Sequence, residues 1–239
     1  MAERNAELHT GHRKRMKESI INNGLDSLNN HQILEALLFF PIPQKDTNEI
    51  AHTLLNHFDG SLINVINADY DALRAVNGIG DNAASFFVIL KLFSRKYLID
   101  SYTAEHSQLV ESTDEQCELF KRVFLGSEVE EIYAAAFNDD LELMCIRKLS
   151  EGGFDKAMIS PRMLLEFAIN AKSNRLIIAH NHPNGSMLPS LEDISVTGEL
   201  VSVLKSVDVD LLDHIVVGSE GAFSIRSSLY ARNIWMNEA

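Results

Sequence analysis

The segment LIIAHNHPNGSMLPSLEDIS, residues 176–195, constrains what this chain can fold into more than any other. Four apolar residues lead directly into two histidines, His180 and His182, and Pro183 then begins a turn. A short apolar run bounded by turn residues predicts a buried strand. Side chains at positions i and i+2 of a strand leave the same face, roughly 7 Å apart. Two imidazoles at the end of this strand can therefore converge on one metal ion.

The polar residues after the turn provide a third ligand. Ser190 begins a predicted helix, and Asp193 lies in its first turn, which brings a carboxylate back to the strand end. Two histidines and one carboxylate, with one position left for water, are typical of a catalytic zinc site. The same S-x-x-D spacing is also a variant of the capping box, in which these two side chains only satisfy the helix N-terminus. The complete string H-x-H-P-x6-S-x2-D favours metal binding, and we predict about one Zn²⁺ per chain, held by His180, His182 and Asp193.

The segments around this string alternate between strand and helix patterns. Ser160 followed by Pro161 is typical of a helix start. The predicted strands are EIYAAAF, LELMCIRKL, RLIIAH, VDLLDHIVVG and AFSIR, and the predicted helices are SPRMLLEFAINAK and PSLEDISVTGELVSVLKSV. The order β-β-α-β-α-β-β predicts one α/β (α+β) domain, with a mixed β-sheet flanked by helices.

The first hundred residues have a different pattern. Apolar residues recur at helical spacing in HQILEALLFF, NEIAHTLLNHF and DYDALRAV, and short turn segments separate these stretches. The pattern changes in the polar stretch SYTAEHSQLVESTDEQ. We therefore predict a small all-α helical domain over residues 1–105, followed by the mixed domain over residues 106–239.

The net charge of −13 is unevenly distributed along the chain. Residues 1–100 carry 10 Lys/Arg and 12 Asp/Glu, whereas residues 101–239 carry 11 and 22. Because an acidic surface repels nucleic acid, any such contact is expected in the N-terminal half, which also contains the basic run HRKRMK at 12–17.

The sequence contains no apolar segment as long as a membrane span, and MAERNAELHT lacks the apolar core of a signal peptide. Cys117 and Cys145 lie far apart and indicate no disulfide framework. We expect a soluble protein of the reducing cytoplasm with no membrane partner. The oligomeric state stays open, and a homo-oligomer is compatible with the sequence.

The motif HNHP followed by PSLED at this spacing resembles the JAMM motif of the JAB/MPN metallohydrolases. The surrounding segments SPRMLLEFAINA, LIIAHNHPNG, PSLEDISVT and LLDHIVVG follow in the order seen in the RadC branch, so that the resemblance covers residues 125–230. It implies a cytidine-deaminase-like JAB/MPN fold and a zinc-dependent hydrolase acting on a peptide or isopeptide-like amide bond. Asn184 and the linker SMLP depart from the usual RadC sequence, but neither removes a ligand.

The resemblance also implies catalytic groups beside the ligands. One is a glutamate on an early strand, which takes the proton of the attacking water. Glu131, at the head of EIYAAAF, is the matching position, and Glu130 is its competitor. Because a strand reverses face at each residue, only one of the two can point into the site. Ser190 Oγ is implied as a hydrogen-bond donor to the developing oxyanion. Asp213 and His214 are interpreted as residues that lie behind the ligands or pack between strands.

The segment LRAVNGIGDNAASFFVILK (73–91) resembles a helix-hairpin-helix motif. Gly78 and Gly80 would let backbone N–H groups face outward at a helix N-terminus, where a DNA phosphate can bind. A plain helical hairpin, packed only for stability, would give the same pattern. We therefore expect at most weak, nonspecific DNA contact through the N-terminal domain.

Three functions are compatible with the sequence. The first is a zinc metallopeptidase or related hydrolase whose peptide or protein substrate the sequence does not identify. The second is a DNA-associated RadC-like repair or binding protein whose metal site is structural or vestigial. The third is a scaffold, as in metal-free MPN relatives. The intact ligand set favours the enzyme. No H-E-x-x-H, P-C-x-x-C, G-x-S-x-G or P-loop motif is present to support a different chemistry.

Overall fold

The computed structural model of the chain describes residues 2–105, 112–152, 159–229 and 231–236. The chain divides into two compact units, Met1–Ser94 and Arg95–Ala239. No helix in the described ranges is long and apolar enough to cross a bilayer.

The first unit is helical, and no strand occurs among its described residues. Its helices are α1 (Ala2–Asn23), α2 (Asn30–Leu38), α3 (Asn48–His57), α4 (Leu62–Asn67), α5 (Tyr70–Arg74) and the first part of α6 (Asp81–Glu105). Leu34, Leu54, Val65, Leu73 and Phe87, one from each of α2 to α6, are fully buried in a common core. The helical spacing of apolar residues in the sequence therefore corresponds to the faces that meet here.

The division between the units falls within α6, between Ser94 and Arg95. The boundary expected from the sequence lies eleven residues later, at the end of this helix, and residues 106–111 of the polar stretch lie outside the described residues. The division into compact units does not show which segments fold independently, so the domain boundary between residues 105 and 106 stays a prediction.

We expect limited proteolysis to release a stable C-terminal fragment of roughly 125–135 residues, because exposed polar connections are cut before packed elements. Mass spectrometry of the earliest fragments would locate the cut. A first cut inside residues 125–230 would contradict the predicted boundary.

The second unit contains a mixed five-stranded sheet. Its elements after α6 are α7 (Thr113–Val123), β1 (Glu131–Phe137), β2 (Leu143–Glu151), α8 (Pro161–Ala171), β3 (Arg175–Asn181), α9 (Leu191–Lys205), β4 (Asp210–Gly218), β5 (Gly221–Ser224) and α10 (Arg232–Met236). The sheet order is β2-β1-β3-β4-β5, in which β3 and β4 are parallel and the other neighbours are antiparallel. The predicted α/β class is confirmed, and the predicted order of strands and helices is found from β1 to β5, whereas α7 and α10 were not predicted.

Two layers of helices cover the sheet. On one face, Leu164 and Phe167 of α8 and Leu200 of α9 pack in a buried cluster with β1 and β3. On the other face, Leu119 and Phe120 of α7 pack in a second buried cluster with β1 and β3. Ser160 caps α8 and Pro161 occupies its first turn, as predicted. This arrangement brings the start of α9 to the end of β3, where the two histidines lie.

Candidate metal centre

Three side chains meet at the C-terminal end of β3. His180 Nε2 lies 3.0 Å from His182 Nε2 and 3.5 Å from Asp193 Oδ1. His182 Nε2 lies 3.9 Å from Asp193 Oδ2. His180 and Asp193 are buried, whereas the side chain of His182 is 22% exposed. The structure thus brings together the three ligands expected from the sequence, in a group that could bind a metal ion.

The spacing and chemistry of these atoms fit a small metal ion. Four tetrahedral ligands at about 2.1 Å from an ion lie roughly 3.4 Å apart, and the three distances here are 3.0, 3.5 and 3.9 Å. His182 Nδ1 lies 2.7 Å from the carbonyl oxygen of Ser186, which can only accept, so Nδ1 carries the hydrogen. His182 Nε2 in the neutral ring is then an acceptor facing the Asp193 carboxylate. Acceptors that converge in this way repel one another unless a cation lies between them.

Two buried histidines of this region, His180 and His214, are held in the neutral form. Burial, together with the proximity of His182, lowers the pKa of His180 to about 3. Burial, and then the neighbouring His180, lowers the pKa of His214 well below its usual value. A neutral imidazole keeps a lone pair, which both metal ligation and hydrogen-bond acceptance require.

Ser190 and Asp193 form the capping box, and Asp193 also faces the histidines. Ser190 N–H donates to Asp193 Oδ2 at 2.6 Å, and Asp193 N–H donates to Ser190 Oγ at 3.0 Å. Asp193 Oδ1 is the atom that lies nearest to His180. The two interpretations of S-x-x-D are therefore compatible, because Asp193 Oδ1 can face His180 while Oδ2 accepts the Ser190 N–H.

The loop after His182 lies directly against the end of β4. A Cβ atom on Gly218 would be 2.3 Å from the backbone nitrogen of Met187, so this approach requires glycine. The loop carries the Ser186 carbonyl that accepts the hydrogen of His182 Nδ1. Gly218 was not identified from the sequence, where its only signal is a glycine at a strand end.

Glu131 lies on the opposite face of the sheet from His180. The cross-strand partner of His180 is Ile132. Paired residues share a face, so the neighbouring Glu131 faces the other way. Its carboxylate accepts hydrogen bonds from Lys148 Nζ at 2.8 Å and from Ser127 Oγ, and Arg95 Nη1 is 3.8 Å away.

These contacts set the charge of Glu131. Burial raises the pKa of its carboxyl group, but hydrogen bonds from Lys148 and Ser127 and the positive charges of Lys148 and Arg95 outweigh burial, so that the pKa is lowered. Continuing the alternation of β1 by one residue would put Glu130, which is partly exposed, on the face of His180. The assignment of Glu131 as the base stays a prediction.

Comparisons with known proteins identify the family of this chain. The family described as "RadC-like JAB domain" matches residues 110–230. A UPF0758 protein of Fusobacterium nucleatum is 33% identical over 223 residues, which cover 90% of this chain and 94% of that protein. The chain belongs to the RadC-like JAB family. Further UPF0758 relatives come from Acinetobacter baumannii, 32% identical over 88% of this chain and 89% of the relative, and from Neisseria meningitidis, 32% identical over 89% and 93%.

In this RadC-like JAB protein, Gly78 and Gly80 lie in the connection between α5 and α6. Gly78 has a φ of 92°, and a Cβ atom there would lie 2.9 Å from Ile50 Cγ1. Asp81, in the first turn of α6, forms an ion pair with Arg74 at 2.7 Å. A negative side chain in the first turn of this helix disfavours tight binding of a DNA phosphate there. DNA contact through the hairpin stays a prediction.

Proposed function

We propose that this RadC-like JAB protein is a JAMM-type zinc-dependent metallohydrolase that cleaves a peptide or isopeptide-like amide bond. The observation that carries the proposal is the convergence of His180, His182 and Asp193 at a partly exposed position. Structural zinc sites have four protein ligands, whereas three ligands leave one position for water. The ligand set is therefore the one that hydrolysis requires.

Zinc at this position would supply a Lewis acid that lowers the pKa of water to about 7. Ser190 and a glutamate would supply the hydrogen bonding and the proton transfer that the metal does not. Ser190 Oγ accepts the Asp193 N–H, and its own hydrogen can still be donated to a scissile carbonyl oxygen as negative charge develops. A glutamate takes the proton of the attacking water and passes it to the leaving amine. Glu131 could act in this way only if its hydrogen bonds with Lys148 and Ser127 were broken. Among the hydrogen bonds of the described residues, none holds the side chain of Glu130 in this way.

The proposal is tested by a cleavage screen with purified protein on peptides and isopeptide-linked peptides. We expect the zinc-loaded protein to cleave at least one member, to lose this activity after chelation and to regain it with added zinc. Asp193→Asn keeps the size and the helix cap but weakens a ligand, so it serves as the matched inactive variant. Equal cleavage by this variant would contradict the proposed mechanism.

A second candidate function is a DNA-associated protein whose metal site is structural or vestigial. It is favoured by the basic run of α1, because Arg13, Lys14 and Lys17 line a surface cleft of the first unit together with Lys45. Glu18 and Asp46 line the same cleft and reduce its positive charge. Zinc binding without cleavage in the screen would favour this function.

DNA binding by the full chain, if present, should be weak and independent of sequence, because contacts with phosphates carry no sequence information. It should also fall steeply with added salt. Lys14→Glu, at a side chain that is 77% exposed, should weaken binding to two unrelated duplexes equally. No binding at low salt, or strong discrimination between the duplexes, would exclude this prediction.

A further inference from the structure

A chain of three hydrogen bonds lies behind the metal-facing ring of His180. His180 Nδ1 is 2.8 Å from His214 Nε2 on the parallel strand β4. His214 Nδ1 is 2.6 Å from Thr197 Oγ1 on α9, and Thr197 Oγ1 lies 2.6 Å from the backbone oxygen of Asp193. All three side chains are fully buried. The chain therefore joins one ligand, His180, to the backbone of another, Asp193, inside the protein.

The backbone carbonyl of Asp193, at the end of this chain of hydrogen bonds, determines which atom donates in each of them. The backbone oxygen of Asp193 can only accept, so Thr197 donates its single hydroxyl hydrogen to it. Thr197 Oγ1 must then accept from His214 Nδ1. The neutral His214 ring consequently has its lone pair on Nε2, which accepts from His180 Nδ1. His180 Nε2 is left with a lone pair directed at His182 and Asp193.

We propose that Thr197 and His214 are positioning residues that fix the tautomer and orientation of His180 and thereby set the metal affinity of the centre. The inference rests on the metal-binding part of the proposed function and not on hydrolysis. Hydrogen-bond partners of ligating histidines fix the tautomer and raise the basicity of the ligand, and their removal commonly lowers metal affinity 10–100-fold.

Asp213 holds the backbone of His214 on β4 and is itself held by Ser224 of β5. The carboxylate of Asp213 accepts the backbone N–H of His214 at 2.6 Å and the hydroxyl of Ser224 at 2.6 Å. The backbone of His214 is thus held by Asp213, and its ring is held by its two ring partners, His180 and Thr197.

The first test is the zinc affinity of the full chain, measured by competition with a chromophoric chelator. Thr197→Val keeps the shape and removes the hydroxyl, and we expect the affinity to fall about 10–100-fold. Thr197→Ser keeps the hydroxyl and should retain affinity close to that of the wild type. Thr53→Val is the matched control, because Thr53 Oγ1 donates to the Glu49 carbonyl at 2.8 Å in the same helical geometry but has no histidine partner among the hydrogen bonds of the described residues.

The second test uses the wild-type chain, so it does not depend on the folding of a variant. Nuclear magnetic resonance of ¹⁵N-labelled histidine rings should find hydrogen on Nδ1 of both His180 and His214, with zinc and without it. Hydrogen on Nε2 of His214, or unchanged zinc affinity in a folded Thr197→Val, would overturn the proposal. A wild-type chain that shows these tautomers but binds no zinc would refute the proposed metal centre and, with it, the effect on affinity.

Discussion

Replacing any one of His180, His182 and Asp193 by alanine should reduce the zinc content of the purified protein from about one ion per chain to almost none. The reason is that the chain offers three ligand atoms within 4.8 Å of one another, and two ligands hold an exchangeable ion poorly. Elemental analysis of the wild type comes first, because a substantial zinc content is needed for the comparison. Unchanged zinc in all three variants would exclude this metal centre.

Two controls separate loss of a ligand from loss of structure. His57→Ala removes an exposed histidine of α3 and should leave the zinc content unchanged. Asp193→Asn keeps an oxygen that can accept the Ser190 N–H, so the helix cap is retained while the negative ligand is lost. Zinc loss in this variant, with an unchanged circular dichroism spectrum, would assign Asp193 to the metal and not only to the cap.

Glu131→Gln should leave zinc bound and lower turnover about 10²–10⁴-fold, the usual contribution of a well-placed acid–base group. Glutamine is close in size to glutamate but cannot accept the proton of the attacking water. If Glu131 is the base, as the family resemblance implies, Glu130→Gln should be nearly silent, because only one of two adjacent strand residues can face the site. The measurement is the cleavage rate on a substrate found in the screen, with zinc content and melting temperature recorded for each variant.

The geometry of β1 makes this comparison decisive. Glu131 contacts Lys148 and Ser127 on the face opposite to His180, so Glu131→Gln also removes the charge of a buried carboxylate that pairs with the exposed Lys148. A lower melting temperature with normal turnover would indicate that Glu131 only stabilises the fold. If Glu130→Gln is the inactive variant, Glu130 is the base, in agreement with the face on which His180 lies. Activity in both variants would place the base elsewhere.

Local patterns in the sequence were sufficient for the order of strands and helices and for the three candidate ligands. The interval between His180 and His182 determines a common face wherever that segment is extended. Ser190 and Asp193 mark a helix start through contacts within one turn, and the structure has this cap. Such features depend on residues close together in the chain, so their geometry follows from covalent connectivity and hydrogen bonding within a single element.

Other features depend on contacts between residues far apart in sequence, and only the tertiary structure decided them. The face of Glu131 follows from the pairing of Ile132 with His180, and no pattern within β1 specifies that register. The contact of His214 with His180 requires β4 to lie parallel beside β3, and the close approach at Gly218 requires the loop after β3 to fold over the end of β4. The sequence by itself thus determined which residues can bind a metal. Packing of separate elements decided which groups surround them, because strand register and helix placement depend on the whole core.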